Sequence, residues 1–161
     1  MFQINCYRAS SASNNTLGDY VNFGHWNAAV NYTWNIGTSY FRIDGDSITY
    51  SMAGHNVPIL LKTGTGITRI MLNSPPVSNW FENPSYYEDV IPYKKGDILV
   101  LLTDGVTECK NARGEMFGAD GAIKTLSVSR TAEEFIKNLE SKLRNFKSSF
   151  DDDITAIAFD L

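Results

Sequence analysis

The chain has 161 residues, of which 43% are hydrophobic and 20% are charged, and its formal net charge is −4. This length and composition allow a buried core, which excludes an intrinsically disordered protein, and the negative charge disfavours a nucleic-acid-binding surface. Cys6 and Cys109 form no CxxC pair, so we expect free thiols rather than a disulfide framework or a zinc site. Without a leader peptide or an apolar run of about 18 residues, the expected location is the cytoplasm, with no membrane contact.

Seven segments have patterns typical of β-strands, and most of them have Gly, Pro, Asn or Asp at one end or both. The first two are joined by a two-residue hairpin turn at Gly45-Asp46. The aromatic segment Leu17–Trp34 has no clean period and is interpreted as a helix followed by a strand. The predicted strands are Ser39–Asp44, Ser47–Met52, Val57–Lys62, Ile67–Leu72, Glu88–Pro92, Ile98–Leu102 and Ile154–Phe159.

One long helix is predicted after residue 131. Thr131 and Glu134 have the spacing of a capping box, and Phe135, Leu139, Leu143 and Phe146 then recur at helical spacing. Residues 73–85 are predicted to form a surface loop and residues 109–121 an irregular excursion. The fold class predicted for residues 1–161 is therefore a single α+β domain with a mostly antiparallel, layered sheet.

Two acidic positions mark the ends of predicted strands. The apolar run Ile98–Leu102 is typical of a strand buried on both faces, and it leads into Asp104 and Gly105. The cluster Asp151–Asp153 opens the last strand. If the two strands are neighbours, these acids converge, and such oxygen ligands suit Mg²⁺ or Mn²⁺. The alternative is that 151–153 is only a solvated turn.

Two weaker candidates lie earlier in the chain. His55, in Ala53-Gly54-His55-Asn56, has the pKa range of a general acid, but it also fits a histidine that bonds backbone at a tight turn. Gly54 beside it favours close backbone packing and hence the structural role. Asp19, in Gly18-Asp19, is a candidate ligand of a further metal motif, although a turn or a helix start explains it equally well. No GxSxG elbow and no GxxxxGK loop occurs.

Four segments together form a recognisable set of motifs. They are Tyr50–Pro58 (Tyr-x-x-Ala-Gly-His-Asn-x-Pro), Lys95–Glu108 (Gly-Asp, an apolar strand, then Thr-Asp-Gly-Val-Thr-Glu), Gly114–Gly118 (Gly-Glu-x-Phe-Gly) and Asp152–Thr155 (Asp-Asp-Ile-Thr). This set resembles bacterial metal-dependent Ser/Thr protein phosphatases of the stage II sporulation protein E and RsbU type, within the PPM superfamily. The resemblance covers roughly residues 37–161.

The resemblance implies a fold, a metal site and a reaction. The implied fold is a β-sandwich flanked by helices, with a cleft that holds two Mn²⁺ or Mg²⁺ ions. Asp104 and Asp152 fall on metal-ligand positions of the family, and Gly105 and Asp153 lie beside them. The implied reaction is attack of a metal-activated water on phosphoserine or phosphothreonine. The usual substrate is a phosphorylated anti-sigma-factor antagonist in a partner-switching pathway.

The chain departs from the family before residue 37. The family carries two earlier metal motifs, for which residues 1–36 are too short, and Asp19 matches only a fragment of one. We therefore expect the C-terminal part of a phosphatase or a shortened member, with one ion or none and weak turnover. Missing strands would expose sheet edges, which favours a homodimer.

Two other hypotheses stay open. The first is a catalytically weak or silent PPM-like module that binds a signalling partner. The second is a small ligand-binding α+β domain in which the acidic cluster is merely a turn. The position of the early acid Asp19 relative to Asp104 and Asp152 distinguishes the phosphatase from the silent module.

Overall fold

The computed structural model describes residues 2–8, 23–28, 34–78, 81–146 and 153–161. Within these ranges the chain forms short strands and three helices, and the longest helix lies near the C-terminal end. The strands are β1 (Phe2–Arg8), β2 (Phe23–Ala28), β3 (Trp34–Asp44), β4 (Ser47–Ala53), β5 (Ile59–Thr63), β6 (Gly66–Ile70), β7 (Val77–Ser78), β8 (Glu88–Pro92), β9 (Ile98–Leu102) and β10 (Ile154–Asp160). The helices are α1 (Asp104–Thr107), α2 (Gly118–Val128) and α3 (Ala132–Phe146).

These elements divide into two compact units that alternate along the chain. The first unit contains β1, β5, β6, β9, β10 and the helices α1 to α3. Its five-stranded sheet has the order β1-β10-β9-β5-β6. Strands β1 and β10 pair in parallel, whereas the other neighbours are antiparallel. The sheet thus places β9 beside β10, as the convergence of the two acidic segments requires.

The second unit contains an antiparallel sheet with the order β2-β3-β4-β8, and β7 pairs with β3. Strand β4 alternates between buried and less buried side chains, as a strand with one covered face should. Its buried side chains Ile48, Tyr50 and Met52 lie on one face of the sheet. Tyr50 stacks on Phe41 of β3, with the ring centroids 6.4 Å apart.

The core of the first unit lies between its sheet and its helices. All five residues of β9 are buried, which confirms the prediction for Ile98–Leu102. Helix α3 contributes the predicted apolar stripe and packs on β1, β9 and β10. Phe135, Leu139 and Leu143 are fully buried, and Phe146 is partly buried. Burial of one such side chain stabilises the fold by about 1.5–3 kcal/mol, so this stripe is a major part of the core.

The observed strands largely confirm the sequence-based elements and the α+β, mostly antiparallel fold class. Strands β8 and β9 have the predicted bounds, and Gly45-Asp46 forms the predicted turn. Strand β3 begins at Trp34, five residues before the predicted start. Strand β5 begins only at Ile59, because Pro58 has no amide hydrogen to donate to a ladder.

The helices show where the sequence pattern was insufficient. Thr131 Oγ1 accepts the amide of Glu134 at 3.1 Å as predicted, but the Glu134 carboxylate accepts the amide of Arg130 at 2.7 Å. Helix α2 occupies part of the region predicted to be irregular. Its two glycines lower helix propensity, so burial of Ala122 and Leu126 must stabilise it. None of the described helices has the length and apolar character needed to cross a membrane.

The N-terminal prediction is tested only in part. Residues 23–28, predicted as part of a helix-then-strand segment, form β2, and β1 was not predicted. The position expected for the helix, which includes Asp19, lies outside the described residues.

Lys62 on β5 caps the C-terminal end of α2. Its Nζ donates to the carbonyl oxygens of Leu126 at 3.1 Å, Ser127 at 3.1 Å and Ser129 at 2.6 Å. The Leu126 carbonyl also accepts the amide of Ser129 at 3.2 Å. Lys62 thus adds donors for carbonyls at a helix end, where intrahelical partners run out, and its cation complements the negative end of the helix dipole.

The change Lys62→Met is therefore expected to lower the free energy of unfolding by about 1–3 kcal/mol, the range for hydrogen bonds from a charged donor. Urea unfolding followed by circular dichroism at 222 nm measures the loss. Lys124→Met, an exposed position on α2, is the matched control and should change stability by less than about 0.5 kcal/mol. Equal losses in the two variants would contradict this role of Lys62.

Candidate functional site

The candidate site begins where the buried strand β9 ends. Thr103 is extended, with φ −92° and ψ 164°, and the short helix α1 starts immediately after it at Asp104. The Asp104 carbonyl accepts the amide of Glu108 at 2.7 Å and the hydroxyl of Thr107 at 3.2 Å. The Asp104 side chain is therefore carried on a well-defined turn at the end of a strand that is buried throughout its length.

Two threonines join this turn to the start of β10. Thr103 N–H donates to the Thr155 carbonyl at 3.0 Å, and Thr155 N–H donates to Thr103 Oγ1 at 3.0 Å. Thr103 Oγ1 also donates to the Thr155 carbonyl at 3.3 Å. We call this set of bonds the Thr103–Thr155 clamp. It extends the antiparallel pairing of β9 and β10 by one residue pair beyond Leu102 and Ala156.

The clamp brings Asp104-Gly105 against Asp153-Ile154. An ideal Cβ at Gly105 would overlap the carbonyl oxygen of Asp153 and lie 3.0 Å from its carbonyl carbon. Gly105 is thus required for close approach of two backbones. We call these four residues the Asp104–Asp153 corner.

The carboxylates of the corner differ in their environment. Asp104 is partly buried, and its Oδ1 accepts the amide of Gly105 at 3.0 Å, whereas Asp153 is exposed. Both side chains offer hard oxygen donors of the kind that Mg²⁺ and Mn²⁺ prefer. The donor chemistry of the corner therefore fits a hard divalent cation.

The corner supplies only part of a metal site. Across the described ranges, no group of three or more His, Cys, Asp or Glu side chains is arranged to hold a metal ion. Asp152, the predicted second ligand, and Asp19 both lie outside the described residues. Their predicted contact with Asp104 therefore stays a prediction.

His55 lies in the second unit, in the turn after β4. Gly54 has φ +63°, and a Cβ there would lie 2.5 Å from the Cβ of Pro76. Its amide also donates to the Ser74 carbonyl at 3.0 Å. This confirms the predicted close packing at Gly54 and favours a structural reason for the Ala-Gly-His-Asn segment.

The Thr103–Thr155 clamp was not predicted. Its only sequence signal is a threonine at the end of one apolar strand and another near the start of a second. A hydroxyl that both donates and accepts suits such a position, but threonine is common in strands for other reasons. The pattern alone therefore could not have identified the clamp.

A comparison with sequence models of protein families shows which family the chain belongs to. Residues 34–161 match the sequence model of the family described as stage II sporulation protein E, or SpoIIE. The chain belongs to the SpoIIE family. The matched range includes the whole Asp104–Asp153 corner and the His55 turn.

Three further proteins are similar to most of the chain. The chain is 27% identical over 143 residues to protein IcfG of Synechocystis sp., covering 87% of this chain and 22% of IcfG. It matches the phosphatase domain of SpoIIE from Bacillus subtilis (Mn presoaked) with a TM-score of 0.57 and 20% identity, covering 76% of this chain and 55% of that one. The SiaA-PP2C domain of Pseudomonas aeruginosa gives a TM-score of 0.67 and 18% identity, and the match covers 80% of this chain and 52% of that domain.

The solved structures confirm the predicted PP2C-like fold class for this SpoIIE-family chain. The chain spans about half the length of these two phosphatase domains and 22% of IcfG. Activity, substrates and partners of the whole proteins therefore do not transfer to it directly.

Proposed function

We propose that this chain carries part of the active site of a metal-dependent phosphoserine or phosphothreonine protein phosphatase. The observation that supports this function best is the Asp104–Asp153 corner, where two acidic segments meet at adjacent strand ends. The family resemblance also supports metal-ligand roles for Asp104 and Asp152. Gly105 and Asp153 complete the proposed site.

The corner residues would hold the cation through carboxylate oxygens. Asp104 and Asp152 are the proposed ligands, and Asp153 adds negative charge beside them. Bound Mn²⁺ or Mg²⁺ would lower the pKa of water and polarise a phosphoryl oxygen. The Thr103–Thr155 clamp would keep the two acidic segments in register, and α1 would fix the direction of the Asp104 side chain.

The proposed substrate is a phosphorylated anti-sigma-factor antagonist, and the proposed setting is a cytoplasmic partner-switching pathway. Both follow from the likeness to the SpoIIE and RsbU type of phosphatase. The net charge of −4 is consistent with a protein partner rather than a nucleic acid.

A second candidate is a catalytically weak or silent PPM-like module that binds a signalling partner. The described part of the chain brings two acidic residues, Asp104 and Asp153, to the corner. Two carboxylates can hold one ion weakly, but a pair of ions in line with a phosphate needs more donors.

Titration of the 161-residue chain with Mn²⁺, together with turnover of a phosphoserine peptide, tests both candidates. We expect weak binding of one ion and slow, chelator-sensitive turnover, because the corner supplies only part of a donor set. Isothermal calorimetry measures the number of ions, and phosphate release measures the rate.

The possible results separate the two functions. Turnover that needs Mn²⁺ or Mg²⁺ and stops with chelator supports the phosphatase. Peptide binding without any turnover at saturating Mn²⁺ supports the silent module. Tight binding of two ions with fast turnover would show that residues 1–36 supply the remaining ligands and that our interpretation of them is wrong.

A further inference from the structure

An acidic and aromatic segment lies on the second unit at residues 81–93, and we call it the acidic-aromatic segment. It contains three acids (Glu82, Glu88 and Asp89) and no Lys or Arg. It also holds four of the seven large hydrophobic side chains that are exposed in the described part of the chain. These are Phe81 at 42% exposure, Tyr86 at 40%, Tyr87 at 61% and Val90 at 57%.

The segment is anchored to the rest of the second unit. Strand β8 pairs with β4 along its whole length, and Ser51 Oγ donates to the Tyr87 carbonyl at 2.9 Å. Tyr93 OH donates to the Gly45 carbonyl at 2.8 Å. Tyr87 and Val90 are therefore presented by a hydrogen-bonded backbone, which reduces the conformational entropy that the segment would lose on binding a partner.

Asp89 protects the edge of β8 against addition of another strand. Its Oδ1 accepts the amide of Val90 at 2.8 Å, and its Oδ2 accepts the hydroxyl of Tyr50 at 3.1 Å. Burial, and after it the bond to Asp89, raises the pKa of Tyr50, so this phenol stays a donor. Because the Val90 amide is already bonded, it is not offered to an added strand, which disfavours backbone pairing at this position of the edge.

Lys94 and Lys95 follow the segment directly in the chain, but its two glutamates are not paired with them. Neither Glu82 nor Glu88 forms an ion pair with any described residue. Arg42 lies in the same cross-strand row as Thr49 and Val90. Its backbone is two strands from that of Val90, a distance of about 10 Å. The surface therefore combines exposed rings with uncompensated carboxylates, and its complement is cationic and apolar.

We propose that the acidic-aromatic segment is a docking surface for a protein segment that carries Lys or Arg beside aliphatic side chains. The cations would pair with Glu82 and Glu88 and stack on the tyrosine faces, and the aliphatic groups would cover Val90. This function goes beyond phosphate hydrolysis. Its residues belong to the second unit, whereas the Asp104–Asp153 corner belongs to the first.

A fluorescein-labelled peptide of alternating Lys and Leu tests the docking surface by fluorescence anisotropy in metal-free buffer. We expect saturable binding that salt weakens. The double change Glu82→Lys/Glu88→Lys should weaken binding at least about ten-fold, because opposite charges become like charges. Tyr87→Ser should weaken it about three-fold or more through loss of the exposed ring. Circular dichroism checks that each variant is folded.

The control is Glu133→Lys/Glu140→Lys on α3, which changes the net charge by the same amount at one exposed and one partly exposed position of the first unit, where the acids pair with Lys137 and Arg144. It should alter affinity by less than about two-fold. An equal loss in this control, or no binding to the unmodified chain, would overturn the proposal.

Two further measurements address other occupants of the surface. A peptide methylated at alternate amides should bind as well as the parent, and loss of its binding would indicate strand addition at β8 instead. Sedimentation measures whether the unmodified chain forms a dimer. We expect no dimer that is lost on the double change Glu82→Lys/Glu88→Lys. Such a dimer would show that a second copy covers the surface and would overturn the basic partner.

Discussion

The change Asp104→Asn is expected to weaken Mn²⁺ binding at least about ten-fold and to abolish any metal-dependent turnover. Loss of a partner that merely orients a metal ligand already costs about 10–100-fold in affinity, and loss of the ligand charge should cost no less. Asparagine is almost isosteric, and its side-chain oxygen can still accept the Gly105 amide, so α1 should remain intact. Calorimetric titration with Mn²⁺ and a phosphopeptide assay measure the two effects.

Asp46→Asn is the matched control for this variant, because Asp46 is an exposed aspartate in the hairpin turn of the second unit. It makes the same chemical change and should leave both Mn²⁺ affinity and turnover unaltered. Unchanged Mn²⁺ affinity in Asp104→Asn would show that the metal is held elsewhere and that the Asp104–Asp153 corner is only a turn.

The change Gly105→Ala is expected to destabilise the first unit by about 3 kcal/mol or more, at the upper end of what overpacking costs. The added methyl would overlap the Asp153 carbonyl oxygen and lie 3.5 Å from Ile154 Cα. The crowded groups are backbone atoms, which cannot rotate away as a flexible side chain would. Urea unfolding by circular dichroism at 222 nm reports this loss, because helices α1 to α3 lie in the first unit.

Gly64→Ala makes the same change in a turn where an added Cβ would meet nothing within 4 Å. It should change stability by less than about 0.5 kcal/mol. If Gly105→Ala were as mild as Gly64→Ala, then the two backbones would not be in close contact and the corner would be looser than described.

Sequence reasoning was most successful where a single strand or helix carries its own pattern. The continuous apolar run Ile98–Leu102 identified β9 with its bounds, and the stripe Phe135, Leu139 and Leu143 identified α3. It was least successful where packing overrides local preference. Helix α2 begins with glycine and contains another at Gly121, so its stability comes from contacts that no local pattern shows.

The candidate site likewise has features that the sequence identified and features that only the structure shows. Asp104, Gly105 and Asp153 were selected from the sequence because acids and a glycine stand where apolar strands begin or end. The Thr103–Thr155 clamp joins residues 52 positions apart, and only the pairing of β9 with β10 brings them together. The requirement for glycine at 105 likewise depends on the backbone of Asp153, which no local turn rule includes.

The sequence by itself thus determined the chemistry available to this protein: which segments are strands, which acids end them, and which phosphatase family they resemble. Only the tertiary structure decided that Asp104-Gly105 lies against Asp153-Ile154, because strand order and register depend on contacts between distant residues. Local patterns reflect the burial of one face of one element. Convergence of two elements at one corner is a property of the packed sheet, and it is this convergence that turns separate acids into a candidate metal site.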